Sequence, residues 1–273
     1  MTFKFDPQHP FSCFVTHSES MKNTVENAQR FAMFDVPLLI QGETGTGKDL
    51  LAKACHYQSL RRAHKFIAVN CAGLPDEDAE SEMFGRKVGE DETIGFFEYA
   101  DGGTVLLDGI AEFSLSLQAK LLRFLTDGSF RRVGEEKEHH ANVRVICTAQ
   151  MPLNQLVEQG KVRADLFHRL NVLTLNVPPL RERIADIEPL TEGFLQEISE
   201  SLNIQKPTFD QQFLVYLQQY NWQGNVRELY NTLYRACSLA KDNRLTIENL
   251  NLRLPSNALV SIEEFEKQTL DEI

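Results

Sequence analysis

The sequence has no apolar run that approaches the ~18–20 residues needed to span a bilayer, and no membrane helix is expected of it. Its opening residues, MTFKFDPQHPFS, lack the long apolar core of a secretory signal. Cysteine is sparse: Cys13, Cys55, Cys71, Cys147 and Cys237 are scattered and never in C-x-x-C spacing. That pattern excludes a disulfide scaffold and points to reduced, packed thiols in the cytoplasm. His139-His140 is the single histidine pair, set in GEEKEHHAN. It reads as an exposed turn, because no cysteine completes a tetrahedral metal set. A basic stretch is also missing. Arg61-Arg62 and Arg131-Arg132 are isolated pairs in a chain of net charge −11. Binding DNA requires a basic face that neutralises phosphates, so these residues are not expected to bind DNA by themselves.

What is present is an ordinary globular composition, 42% hydrophobic and 25% charged over 273 residues, enough for a larger and a smaller domain. The stretch PLLIQGETGTGKD, residues 37–49, organises the rest. Leu38, Leu39 and Ile40 form a short apolar run. Gly42-Glu43-Thr44-Gly45-Thr46-Gly47-Lys48 follows, and Leu50, Leu51 and Ala54 then recur at helical spacing. A buried strand, a glycine-rich turn and a helix start are the parts of a phosphate-binding loop. The glycines let successive N–H groups converge on one anion, the helix dipole adds partial positive charge, and Lys48 adds a full one. A nucleoside triphosphate is the expected ligand. Asp49 stands where the generic loop has a Mg²⁺-binding Ser or Thr. A carboxylate can also serve Mg²⁺, directly or through water.

The remaining pattern alternates. Residues 1–20 are polar and turn-like, as in a linker. A helix is predicted from Met21 to Phe34, a strand at 66–70, an acidic helix opening at Asp78, and an exposed loop at 86–95. A strand from Thr104 to Leu107 ends at Asp108. Helix 115–126, strand 143–148, a short helix near 153–157 and strand 172–177 follow. Such alternation predicts an α/β core with a mainly parallel sheet flanked by helices. After Pro178-Pro179 the pattern is helical, over 187–202, 210–220 and 225–240, which predicts a small all-helical lid. The reading therefore divides the chain into a linker (1–20), an ATP-binding core (21–185), a lid (186–255), and the start of a linker or helix (256–273) carrying the capping-box string S-I-E-E from Ser261. Asp108, at a buried strand end about 60 residues after the phosphate loop, suits a Walker B aspartate that holds Mg²⁺ through water. The alternative is a turn aspartate.

Taken together, these motifs resemble the AAA+ P-loop domain of bacterial enhancer-binding transcription regulators. The resemblance covers most of residues 18–255, through GETGTGKD, FIAVNCAGLP, ESEMFG, GFFEYADGGTVLLD, LLRFLTDGSFRRVG, VRVICTAQ, RADLFHRLNV, PPLRERIADI and NWQGNVRELYN. Within that family the chain looks most like the tyrosine-responsive regulators. The resemblance implies that Gly42 to Asp49 wrap the phosphates of ATP. Arg163 and Arg169 match arginine fingers that reach the γ-phosphate of a neighbouring subunit, and Arg227 matches the lid arginine that senses nucleotide in cis. A solvated or ion-paired side chain is the alternative for each, and suits Arg163 taken alone.

Three departures from the family pattern matter. Active members carry Glu after the Walker B aspartate, to orient water; here it is Gly109. Losing such a group typically costs about 10²–10⁴ in rate, or ~3–5 kcal/mol of barrier. The sensor string, usually ending in Thr-Asn, ends here in Ala149-Gln150. The GAFTGA string by which activators contact the sigma-54 factor is also replaced, by a shorter acidic segment between Gly85 and Gly95.

The expected function is thus an ATP-binding, ligand-responsive oligomerisation domain, dimeric to hexameric, with tyrosine or another aromatic amino acid as effector. It would belong to a regulator, mainly a repressor, of aromatic amino acid genes. Operator DNA would be bound by a helix-turn-helix domain beyond Ile273, and the polymerase partner would be the housekeeping form rather than the sigma-54 form. The alternative is a slow Mg²⁺-dependent ATPase or phosphohydrolase using Asp108 and Asp49, with Glu43 or Glu98 as base.

Overall fold

The computed structural model describes residues 5–240 and 243–252. The helix expected from Ser261, and the whole segment 256–273, lie outside the described residues. The chain divides into two compact units between Pro178 and Pro179, ahead of residue 185.

The first unit begins with turns that are not a free linker. Pro10 is buried, and Phe11 and Phe14 pack against the core, because two apolar rings and a proline so close together gain by leaving water. Helix α1 (Glu19–Ala32) starts at Ser18, whose hydroxyl accepts from the Met21 N–H. Strand β1 (Leu38–Gln41), helix α2 (Lys48–Gln58) and strand β2 (Phe66–Asn70) follow. Helix α3 (Asp76–Phe84) has three acidic residues in its first turn, which favour its positive end.

Residues 86–95 are not an irregular loop. Strands β3 (Arg86–Val88) and β4 (Asp91–Thr93) pair as an antiparallel hairpin. It is held by buried Arg132, which pairs with Glu92 of β4 and, at 2.8 Å, with Glu98 of helix α4 (Phe96–Tyr99). Strand β5 (Thr104–Asp108) and helix α5 (Leu115–Asp127) come next. A second hairpin, β6 (Ser129–Arg131) with β7 (Glu138–His140), replaces the expected histidine turn. His139 leaves solvent to stack on Phe130, with ring centroids 5.6 Å apart, and its Nε2 lies 2.8 Å from Glu135. Strand β8 (Arg144–Ala149), helices α6 (Leu153–Glu158) and α7 (Ala164–Leu170), and strand β9 (Leu173–Asn176) complete the unit.

The main sheet is parallel, in the order β2-β5-β8-β1-β9. Its two faces can be read from the pleat. Leu38 and Ile40 of β1 join Leu106 and Ile146 in a core beneath α1 and α2, while Leu39 joins Val105, Leu107, Val145 and Cys147 in a core beneath α5 and α7. Every one of these side chains is buried, and each is worth about 1.5–3 kcal/mol against exposure. A strand apolar on both faces is a continuous run rather than an alternation, as β1 reads.

The second unit contains α8 (Ile187–Leu202), α9 (Gln211–Gln219), α10 (Asn225–Leu239) and α11 (Ile247–Leu250), with a two-residue parallel pair, β10 (Thr208–Phe209) and β11 (Arg244–Leu245). Two 3₁₀ turns precede α8. The Leu180 N–H donates to Asn225 Oδ1 at 2.7 Å. That bond ties the turns to α10 and accounts for the early division.

Candidate functional site

Because β5, β8 and β1 are parallel neighbours, their C-terminal ends line one edge of the sheet. β1 ends at Gln41, and the Gly42–Gly47 turn leads directly into α2. Gly47 occupies the N-cap of α2 with φ +99°, a left-handed conformation that residues with a Cβ adopt at a cost. No side chain caps α2, and a helix N-terminus that follows a glycine-rich turn is a site where an anion is favoured. Thr46 Oγ1 and Lys48 Nζ both donate to the Glu43 carbonyl, at 2.8 and 2.9 Å. Lys48 is only 8% exposed, so its ammonium lies over the turn rather than in bulk water. Thr44 is exposed and Gly45 has φ +80°. A left-handed glycine turn, a helix start and a sequestered cation form a cradle that fits the phosphates of a nucleotide.

Asp108 ends β5 and is partly buried. Thr148 Oγ1 of β8 donates to Asp108 Oδ1 at 2.5 Å and accepts from the Gly109 N–H at 2.9 Å. Gly109 itself is left-handed, with φ +85° and ψ +55°. A Cβ built on it would meet only Glu112 Cγ, at 3.5 Å. The neighbourhood is anionic. Burial, then Cys147, Asp108 and Glu112, push the Cys71 thiol well above its ordinary range. Asp49 is exposed in the first turn of α2, and Gln150 is exposed just beyond β8. Among the described residues no group of three His, Cys, Asp or Glu side chains could hold a metal alone. A Mg²⁺ ion held by Asp108 or Asp49 would therefore complete its shell from phosphate oxygens and water. Sequence reasoning missed Thr148. The signal was there: a hydroxyl in a fully buried strand needs a partner.

The arginines are elsewhere. Arg163 precedes α7 and forms a 2.8 Å ion pair with Asp165, which holds that carboxyl below its usual range. Arg169, exposed in the last turn of α7, donates to the Leu125 carbonyl at 2.7 and 3.0 Å, across the end of α5. It shares a surface cleft with Pro37, Val143 and Val172, residues that precede β1, β8 and β9. Arg169 therefore lies at the opposite edge of the sheet from its own phosphate loop, at least a strand length of about 13 Å away. Arg227 is exposed in the first turn of α10, in the second unit.

Residues 14–176 match the family model described as "Sigma-54 interaction domain", and residues 181–264 match the "AAA+ ATPase lid domain". The chain is 81% identical over 270 residues to the HTH-type transcriptional regulatory protein TyrR of Haemophilus influenzae, covering 99% of this chain and 85% of that protein. The chain belongs to the AAA+ transcription-regulator family, in its TyrR branch. It is 52% identical to TyrR of Enterobacter agglomerans, over 96% of this chain and 51% of that protein, so it spans only about half the length of some relatives. Among solved structures, NtrX from Brucella abortus, in complexes with ADP and with ATP, aligns with TM-score 0.82 and 34% identity, over 90% of this chain and 55% of that one. The family places the parallel sheet, nucleotide cradle and helical lid in one scheme: a nucleotide-binding AAA+ domain and lid of a TyrR-like transcriptional regulator. Among the described residues no helix is long and apolar enough to cross a membrane.

Proposed function

We propose that the chain is an ATP-binding self-association domain that hydrolyses ATP slowly or not at all, and whose assembly answers to tyrosine or a related aromatic amino acid. Assembly would set how attached DNA-binding domains sit on operators, chiefly for repression, in the cytoplasm. The observation that carries the reading is Gly109. The phosphate cradle is complete, yet the residue after Asp108 has no side chain to orient water, and its N–H is taken by Thr148. Bound ATP would supply the phosphates that Lys48 and the loop amides grip and, with Mg²⁺, the charge that Asp108 and Asp49 balance. Arg169 at the far edge suits contact with a neighbouring protomer's nucleotide, Arg163 ahead of α7 would be the second such arginine, and Gln150 and Arg227 would respond to nucleotide in cis, as the resemblance to the family implies.

The hairpin β3–β4 supports the same reading. Its strands are RKV and DET, exposed and mixed in charge, and its turn, Gly89-Glu90, presents no aromatic side chain to a sigma-54 factor. A housekeeping polymerase is the partner that the resemblance to tyrosine-responsive regulators implies.

The rival reading, a slow phosphohydrolase, has one observation in its favour: Glu112 stands beside Gly109. Glu98, an alternative base on sequence grounds, is committed to Arg132. The test is sedimentation of the chain with Mg²⁺, with and without ATPγS and tyrosine, alongside a phosphate-release assay with ATP. Assembly driven by ATPγS and tyrosine with phosphate release near background supports the regulator. A monomer under every condition that releases phosphate steadily overturns it.

A further inference from the structure

Helix α7 carries Arg169, and Arg163 is its N-cap residue. Leu166 and Leu170 of α7 are fully buried and hold it against the core. Apolar burial is non-directional, so polar contacts have to fix the helix along and about its axis. Two such contacts end on α5. At the exit of α7 the Arg169 guanidinium donates to the Leu125 carbonyl, at 2.7 and 3.0 Å, in an exposed position.

The entry of α7 is held differently. The Arg163 side chain makes no cap. Instead Gln118, a fully buried residue near the start of α5, reaches across to the backbone. Its Oε1 accepts from the Arg163 N–H at 3.0 Å, and its Nε2 donates to the Lys161 and Phe113 carbonyls, each at 2.8 Å. Phe113 closes the 3₁₀ turn Ile110–Glu112 that follows Asp108 and Gly109. Every polar atom of the amide is thus committed to backbone groups. The Lys161 and Val162 N–H groups donate to the Leu156 carbonyl of α6, so those bonds do not fix this loop to α5. A buried amide with all its bonds made is costly to disturb, because each group left unpaired forfeits its hydration as well.

We propose that Gln118 is the positioning residue of the arginine pair. The proposal rests on the assembly reading. To meet a neighbour's phosphate, the Arg169 guanidinium has to leave the Leu125 carbonyl, which frees the exit of α7. The Arg163 guanidinium has to leave Asp165, its exposed ion-pair partner at 2.8 Å. Both contacts lie in solvent, where such pairs are weak and open readily. The three buried bonds of Gln118 are the ones that stay. They keep the entry of α7 in register with α5 while both guanidiniums turn outward, so the two cations reach the neighbour in a fixed relation to each other.

Sedimentation of the full chain with Mg²⁺ and ATPγS tests the assignment. Gln118→Met keeps the length of the side chain and removes all three bonds. Its ATPγS affinity as dilute monomer is expected within about twofold of the parent, while the protein concentration at half-assembly rises about tenfold or more. Leu121→Ala is the control for stability alone: it removes packing one turn further along α5, where Leu121 is fully buried, and leaves the three bonds. Its half-assembly should match the parent's. Lys48→Ala lacks the cation of the cradle but keeps both arginines, so mixing it with Gln118→Met should restore assembly, by offering arginines to the nucleotide that Gln118→Met binds. Half-assembly of Gln118→Met within about twofold of the parent overturns the assignment. Equal weakening by Leu121→Ala also overturns it, since Gln118 would then act only through stability. A mixture no better than Gln118→Met alone overturns it too, by placing the defect on the nucleotide-accepting side. Gln118→Asn, one methylene too short to span the three groups, is held to the same outcomes if Gln118→Met does not fold. If the parent itself fails to assemble with ATPγS, the assembly reading falls and this assignment with it. If the parent assembles and Gln118→Met assembles as readily, this assignment falls alone.

Discussion

Thr148 bridges Asp108 and the backbone that follows it, donating to the carboxylate at 2.5 Å and accepting from the Gly109 N–H at 2.9 Å. One hydroxyl thus fixes both the acid expected to balance Mg²⁺ and the conformation of the next residue. Thr148→Val keeps the shape and removes both bonds. With one of these groups charged, the expected loss of stability is about 1–3 kcal/mol, read by urea denaturation. The Mg²⁺ dependence of ATPγS binding should shift to higher concentration, measured by calorimetry. An unchanged Mg²⁺ midpoint would separate Asp108 from the metal.

Gly109→Glu installs a carboxylate next to Asp108, on a left-handed residue. The backbone strain costs about 1–2 kcal/mol, and the new Cβ meets nothing closer than 3.5 Å. Gly109→Ala carries the strain without the acid, which makes it the control. Phosphate release from Gly109→Glu is expected to exceed that of both the parent and Gly109→Ala by tenfold or more. A flat response would mean that another base already acts, and the hydrolase reading would gain.

The sequence made the cradle legible because its parts are contiguous: an apolar run, three glycines, a lysine and a helix start. The parallel sheet was legible for a similar reason, since strands buried on both faces are written as apolar runs such as LLI and VLL. The two hairpins were not. RKV, DET and EHH are three-residue, charged, exposed strands with no hydrophobic alternation to betray them, and a long-range ion pair from Arg132 holds the first in place. The Thr148 bridge and the position of Arg169 at the far edge of the sheet are tertiary facts. They depend on which strand lies beside which, and no local pattern encodes that.

His56 predicts an acid sensitivity. It is fully buried, its Nδ1 lies 2.9 Å from Thr104 Oγ1, and its Nε2 has no partner among the described residues. Burial lowers its pKa from 6.5 to about 4. Between those values the unfolded chain binds a proton that the folded chain refuses. Stability is therefore full above pH 6.5, falls as pH drops towards 4, and changes no further on this account below that. The loss is about 3 kcal/mol at the lower limit. Chemical denaturation at a series of pH values reads the slope. His56→Gln should flatten it across this window, and an equal slope in the variant would assign the titration to another group.

Arg169 separates assembly from nucleotide binding. Its guanidinium caps α5 through the Leu125 carbonyl, at the edge of the sheet remote from its own Lys48. Arg169→Ala loses a charge-assisted cap that is exposed to solvent, so the expected destabilisation is about 1 kcal/mol or less. Because the side chain cannot reach the phosphates bound by its own chain, ATPγS affinity measured on dilute, monomeric protein should stay within twofold of the parent. Assembly driven by ATPγS should be strongly weakened, because the neighbour's γ-phosphate would lose one of the two arginines proposed to meet it. Arg169→Lys keeps the charge but not the planar fork, and should recover assembly only in part. Sedimentation over a range of protein concentrations gives both readouts on one sample. A variant that assembles as readily as the parent would confine Arg169 to the cap of α5.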